Sequence, residues 1–237
     1  MALPQIAVPK YNLTIPSTQV EVEFRPYLVG EEKILMIAAE SESETVMMKA
    51  VVDIIKRCVT QDINPKKLKL YDIEYIFTQM KAKSVGETSE VVIKCEKCQE
   101  SNTIPLNVDK DISVTNLKTK KSHFKIQLTE NVGIVLKHLS MEDSLVEDTT
   151  SESQTNQIFN KVIQCIDYVY EGDTVYNIQD EGIKEMYSFI EGLNSAQFKL
   201  LSNFIENMPR LELNSKFKCS KCEKINKVKL VGIDNFF

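Results

Sequence analysis

Four of the six cysteines fall into two identical spacings, Cys95-Glu-Lys-Cys98 and Cys219-Ser-Lys-Cys222. Two residues between cysteines let a tight turn aim both sulfurs at one point, which supplies half of a tetrahedral thiolate site. Two such pairs close the shell of one structural zinc ion, with Zn–S bonds of about 2.3 Å. A redox Cys-x-x-Cys prefers the start of a helix that follows a strand, and neither pair has that setting. Local disulfides need an oxidising compartment. The opening Met-Ala-Leu-Pro-Gln-Ile-Ala-Val-Pro-Lys lacks the basic start and long apolar run of a secretory signal, so the cysteines are expected to stay reduced. Cys58 and Cys165 sit on apolar helical stripes and read as small core residues. His123 and His138 are spare donors that four cysteines make unnecessary.

The elements around each pair support a ribbon. Ser89–Lys94 and Thr103–Val108 have the period-two pattern of strands on either side of Cys95–Cys98, and Leu211–Lys218 and Ile225–Val231 flank Cys219–Cys222 in the same way. Ordinary ribbons place about 15–20 residues between their two pairs. Here residues 99–218 intervene, so the ribbon is split and the metal ties the end of the chain to its middle. Closing a long loop costs entropy that grows only logarithmically with length, and metal-binding free energy can offset it.

Upstream, Tyr11, Leu13 and Ile15, then Val20, Val22 and Phe24, alternate around Pro16-Ser17-Thr18 as a β-hairpin. Helices are expected over Glu31–Ala39, Thr45–Val59 and about Asp72–Ala82, with Asn64-Pro65 opening a short helical turn. Inside the insertion, His123–Leu128 and Gly133–His138 read as a second hairpin. Much of the polar, acidic run Ser140–Gln157 reads as a loop or mobile linker. Three helical stripes follow: Ile158, Val162, Cys165, Ile166 and Val169; then Ile183, Met186, Tyr187, Ile190 and Leu193; then Phe198, Leu201, Phe204 and Ile205, begun by Asn194 or Ser195. The fold class is therefore α+β: an N-terminal β-hairpin and helices, and a split four-cysteine zinc ribbon with a largely helical insertion. The expected division is 1–88 for the hairpin and helical region, 89–108 with 211–237 for the ribbon, and 109–210 for the insertion.

With 237 residues, 43% of them hydrophobic and 27% charged, the composition is that of a globular protein with a sizeable core. No run approaches the roughly 18 consecutive apolar residues of a membrane span. The net charge of −5 argues against sequence-independent nucleic-acid binding, which draws on basic surface. Lysines nevertheless crowd the cysteines: Lys94, Lys97, Lys216, Lys218, Lys221, Lys224, Lys227 and Lys229. They balance the −2 charge of a zinc tetrathiolate, or they form a nucleic-acid surface. Without arginine or interleaved aromatics for stacking, charge balance is the better reading. No Gly-rich phosphate loop or nucleophile elbow is present, two isolated histidines offer little general-base chemistry, and four cysteines leave a zinc ion no open position. The chain is expected not to be an enzyme.

Several segments together resemble a family of baseplate hub and hub-assembly proteins from T-even-type tailed phages. They are Leu13-Thr-Ile-Pro-Ser-Thr18, Phe24-Arg-Pro-Tyr-Leu-Val-Gly-Glu-Glu-Lys33, Ile37-Ala-Ala-Glu-Ser41, Tyr71-Asp-Ile-Glu-Tyr-Ile-Phe77 and Lys81-Ala-Lys-Ser-Val-Gly86, with the two cysteine pairs and the closing Phe236-Phe237. The resemblance thins between about 107 and 180. It implies a structural or assembly role in a contractile tail, with other tail or baseplate hub proteins as partners. The setting would be the cytoplasm of the infected bacterium during assembly, and the virion tail if the protein stays there. Phe236 and Phe237, the N-terminal arm Met1–Lys10 and the acidic run are the expected contact elements. The rival function is a zinc-ribbon nucleic-acid-binding or transcription accessory protein.

Overall fold

Leu13, Val22 and Phe24 face inward between polar neighbours, and that alternation builds an antiparallel hairpin from β1 (Tyr11–Thr14) and β2 (Glu21–Phe24), with Leu13 opposite Val22. The structure is a computed structural model that describes residues 6–86, 88–107, 111–117, 122–144 and 154–231. Three helices follow the hairpin: α1 (Val29–Glu40), α2 (Glu44–Cys58) and α3 (Leu70–Val85). The Ser43 hydroxyl caps α2 by accepting from the Val46 amide, and Lys56 and Arg57 complement the dipole at its C-terminus. Its buried stripe is Ala50, Val51, Ile54, Ile55 and Cys58. The end of α2 is stitched to β2, because the Arg25 amide donates to the Cys58 carbonyl at 3.0 Å and the Thr60 amide to the Glu23 carbonyl at 2.8 Å. Asn64 caps a short 3-10 turn, Pro65–Lys67, through the Lys66 amide.

Asp72, at the third position of α3, is fully buried. Its carboxylate accepts from the Ser17 amide at 2.9 Å, the Ser17 hydroxyl at 2.5 Å and the Lys69 amide at 3.1 Å. One side chain thus caps α3 and anchors the turn of the β1–β2 hairpin to it. Burial pushes the Asp72 carboxyl above its usual range, against the pull of those three donors.

After α3 the chain forms β3 (Thr88–Lys94), β4 (Ser101–Asn107) and β5 (Ile112–Thr115). It then enters a second compact unit, 116–208, before returning to the first at 209. That second unit is an antiparallel sheet of β6 (His123–Gln127), β7 (Val132–Lys137), β8 (Ile166–Glu171) and β9 (Thr174–Asn177) in sequential order. Its helices are α4 (Met141–Ser144), α5 (Gln154–Cys165), α6 (Ile178–Glu181), α7 (Ile183–Glu191) and α8 (Ser195–Glu206). Ile134, Leu136, Val162, Ile163, Ile166, Val169, Met186, Ile190 and Leu201 make its core. Asn194 and Gln197 form a reciprocal cap at the start of α8. Gly133 lies beneath Tyr170 across the β7–β8 pair, where an added Cβ would come 2.1 Å from the phenol oxygen.

One expectation needs correction here. Ile166 and Val169 do not continue the helix of Ile158 and Val162. α5 ends at Cys165, and Ile-Asp-Tyr-Val-Tyr-Glu turns into strand β8, as its β-branched and aromatic content favours. Both side chains still reach the core, because the register shift between Val135 and Leu136 leaves Asp167 unpaired in the ladder and keeps Ile166 and Val169 on one face, opposite Leu136 and Ile134. Within the acidic run, Met141–Ser144 form a helical turn with Met141 buried, and Gln154 begins α5. Residues 145–153 lie outside the described residues.

Back in the first unit, β10 (Arg210–Lys218) pairs with β5 on one side and β11 (Ile225–Val231) on the other. Ile104 of β4, Ile112 of β5 and Leu211, Leu213, Phe217 and Val228 of the β10–β11 hairpin bury one apolar cluster. Tyr75 of α3 packs against it, which seats the ribbon on the helical part. Glu212 is buried beside this cluster, and its Oε1 accepts from Arg210 Nε at 2.7 Å and Lys229 Nζ at 3.0 Å. Burial would raise the Glu212 carboxyl, but the hydrogen bonds from Lys229 and Arg210 prevail and lower it.

Removing the buried anchor in Asp72→Ala orphans the Ser17 and Lys69 amides and should cost about 2–3 kcal/mol. Asp72→Asn, which keeps an acceptor, should cost less; denaturant unfolding measures both. Glu212 has a depressed folded pKa, so its stabilisation is full above the unfolded value of about 4.3 and is lost as pH falls through the lower folded one. Glu212→Gln should therefore be less stable than the parent at pH 7, and the gap should narrow in unfolding curves taken below about pH 4.

Candidate metal centre

The register of the two hairpins sets the site. Lys94 pairs with Ser101 and Lys218 with Ile225, so each hairpin closes through a six-residue turn, 95–100 and 219–224. The turns repeat one another bond for bond. In the first, the Cys95 amide donates to the Glu100 carbonyl at 2.8 Å and the Gln99 amide to the Cys95 carbonyl at 2.9 Å. In the second, the Cys219 amide donates to the Lys224 carbonyl at 2.9 Å and the Glu223 amide to the Cys219 carbonyl at 3.0 Å. Gln99 and Glu223 both take the left-handed conformation, φ 58° in each, which turns the chain back into its strand.

The turns face each other and bring Cys95, Cys98, Cys219 and Cys222 together, with all four sulfurs within 4.8 Å of one another. The closest pairs cross between hairpins: Cys95–Cys222 and Cys98–Cys219, each at 3.6 Å. That is far beyond the ~2.05 Å of a disulfide. It is close to the ~3.8 Å edge of a tetrahedron with Zn–S bonds of ~2.3 Å. Such a donor set can hold a metal ion, and four sulfurs in a tetrahedral arrangement suit zinc or iron. Cys95 and Cys219 are buried, while Cys98 and Cys222 are partly exposed. Cys58 and Cys165 are buried in other parts of the chain. His123 and His138 belong to the second unit, where His123 Nε2 lies 3.2 Å from Asp167 Oδ2 and the His138 ring packs against Phe124 and Phe204.

Backbone amides inside the turns prepare the sulfurs for ionisation. The Cys98 amide above all, helped by that of Lys97 and by Asn226, outweighs burial and draws the Cys95 thiol down to about 6. The Cys222 amide, with that of Lys221, lowers Cys219 in the same way. For Cys98 the Glu100 amide favours the thiolate, but burial and the three neighbouring sulfurs prevail and hold it up at about 12.

Two further residues of the site escaped the reading of the sequence. Asn102 and Asn226 are buried, 7% and 2% exposed, and each stands four residues after the second cysteine of its hairpin. Asn226 Nδ2 points at Cys95 Sγ from 3.5 Å, and Asn102 Nδ2 at Cys219 Sγ from 3.8 Å. The signal was present as Cys-x2-Cys-x3-Asn, written twice.

Half of the crowded lysines turn out to be paired. Lys218 meets Glu223 at 3.0 Å, Lys221 meets Glu100 at 3.3 Å, Lys224 meets Glu96 at 2.9 Å and Lys229 meets Glu212 at 3.0 Å. The Lys221 and Lys224 pairs cross from one hairpin to the other. Phe236 and Phe237, and residues 1–5 of the N-terminal arm, lie outside the described residues.

No helix among the described residues is long and apolar enough to cross a membrane. Neither the curated proteins nor the solved structures contain a match to the chain. The family of the T4 bacteriophage base plate protein, in contrast, matches residues 8–237, both cysteine hairpins included. The chain belongs to that phage base plate protein family.

Proposed function

We propose that this protein is a non-enzymatic structural or assembly component of the base plate hub of a contractile tail. It acts through protein–protein contacts and is stabilised by one structural zinc ion per chain, held by Cys95, Cys98, Cys219 and Cys222. The observation that carries the role is the family match over residues 8–237. The hub in particular rests on the resemblance of the segments quoted above, from Leu13–Thr18 to Lys81–Gly86. For zinc, the support is the convergence of four sulfurs at near-tetrahedral spacing. Four thiolates fill a tetrahedral shell, so the ion would have no position for substrate or water and would serve the fold.

The surface supports contact with other proteins. Helix α1 reads Val-Gly-Glu-Glu-Lys-Ile-Leu-Met-Ile-Ala-Ala-Glu, yet Ala38 alone of its residues is buried. Val29 is 79% exposed, Met36 63% and Ile37 56%. These three, at i, i+7 and i+8, lie along one side of the helix, and adjoining exposed apolar residues of this kind mark interaction surfaces. Phe236 and Phe237 are a second proposed contact, since aromatic anchors dominate many interfaces. The pairing of Lys218, Lys221, Lys224 and Lys229 with carboxylates weighs against the nucleic-acid reading.

Elemental analysis should find about one equivalent of zinc per chain, and iron in its place would overturn the metal assignment. Cys95→Ser and Cys219→Ser should each lower metal content and cost about 4 kcal/mol or more, as loss of a metal centre does. Metal-free protein that melts like the native form would sink the structural role. Coexpressed with the other tail proteins, the parent should be recovered with a hub partner. Met36→Glu with Ile37→Glu, and separately Phe236→Ala with Phe237→Ala, should weaken that recovery while leaving the melting temperature within a few degrees. Recovery with base plate proteins outside the hub would move the protein elsewhere in the base plate.

A further inference from the structure

The contacts of Asn102 and Asn226 are reciprocal. Within its own hairpin each amide nitrogen donates to the carbonyl two residues back, Asn102 to Glu100 at 2.8 Å and Asn226 to Lys224 at 3.0 Å. Across the interface, Asn102 Oδ1 accepts from the Ser220 amide at 2.9 Å and the Ser220 hydroxyl at 3.1 Å. Asn226 Oδ1 accepts from the Glu96 amide at 3.1 Å. Ser220 and Glu96 each follow the first cysteine of the opposite turn. The amide nitrogens then reach the sulfurs of those same cysteines, Cys219 and Cys95. A side chain that merely closed its own turn would account for the carbonyl bonds alone. Flipping either amide would set Nδ2 against a backbone N–H and Oδ1 against a carbonyl and a sulfur, so the partners admit one orientation.

We propose that Asn102 and Asn226 are the positioning residues of the metal centre. Each latches the first cysteine of the opposite hairpin and donates an N–H to its sulfur, so that metal retention depends on the pair. This rests on reading the four sulfurs as a metal site. An N–H donor withdraws electron density from a thiolate and makes it less prone to protonation and to electrophiles, and the backbone bond fixes where that sulfur points. The latch serves Cys95 and Cys219, the two buried sulfurs. Cys98 and Cys222 receive no side-chain N–H among the described contacts and are the partly exposed pair, so loss of metal begins at them.

The test compares the metal-loaded full chain with Asn102→Asp, Asn226→Asp and the corresponding alanine variants. Aspartate keeps the acceptor for the backbone amide but sets a carboxylate against the sulfur. Each variant should lose zinc to excess EDTA about 10–100 times faster than the parent, with similar effects at the two positions because their contacts match. In the cobalt-substituted protein, the sulfur-to-cobalt charge-transfer band should move to lower energy in the variants, a change that loosened packing alone does not produce. Variants that retain zinc and show the parent band would overturn the latch and leave the metal reading intact. A parent chain without metal would instead remove the metal reading, and the latch with it. If the variants fail to fold, amide hydrogen exchange of the parent decides. Glu96 and Ser220 should exchange as slowly as the paired strands, and free-loop rates at both would overturn the proposal.

Discussion

Four sulfurs drawn within 4.8 Å of one another are an electrostatic conflict unless a cation sits among them. Turn amides favour the thiolate at Cys95 and at Cys219, one sulfur in each hairpin, and the crowding then holds Cys98 up at about 12. A divalent ion removes the conflict by neutralising half of the charge and fixing the S–S distances. The surroundings complete the balance: lysines ring a centre that would carry −2, and glutamates in turn hold four of those lysines. Each such exposed pair stabilises little alone. Two of them cross the hairpin interface and add to its register.

The same geometry changes what a bound metal would be for. Read along the chain, the wide spacing makes it a staple that closes a long insertion. In the folded protein β5 and β10 are adjacent strands, with Thr115 opposite Arg210, so the chain leaves and re-enters the first unit side by side. Backbone pairing and the burial of Ile112, Leu211 and Leu213 already close that loop, whose entropy cost rises only slowly with length. What they leave free is the far end of the β3–β4 hairpin relative to that of β10–β11. The sulfurs join those two ends, and the asparagines cross the same gap.

The features that could be read from the sequence are those with a strong local period or an unambiguous residue type. The cysteine pairs, the alternation of Leu13, Val22 and Phe24, the stripe of α2 and the Asn194 cap all have this character. Ile112–Thr115 did not, because a four-residue strand shows too little alternation and is defined by its partner β10. The switch at Cys165 was hidden because Ile166 and Val169 continue the helical spacing, and only a bulge at Asp167, set by the pairing with β7, lets a strand place both on one face. Asn102 and Asn226 were missed for a different reason. An asparagine just past a turn has an ordinary local explanation, and only the cross-hairpin bonds show that the repeat reaches the metal site.

A centre whose shell four thiolates would fill, with neighbouring lysines already paired, has little left to offer a ligand, which directs attention to the surface of the first unit. A helix as apolar as α1 is normally buried on most sides, and here Val29, Met36 and Ile37 remain in solvent. Its local structure is nevertheless well determined. Glu31 accepts from the Leu28 amide at 2.9 Å and pairs with Arg25 at 2.9 Å, so the first turn is held whether or not its outer face is covered. A preformed helix loses little conformational entropy on docking, which suits a part that must enter an assembly already folded. In the proposed role the ribbon keeps the unit in shape and α1 makes the contact. The two depend on each other through α3, whose Asp72 anchors the hairpin turn before α1 and whose Tyr75 packs under the cysteine hairpins.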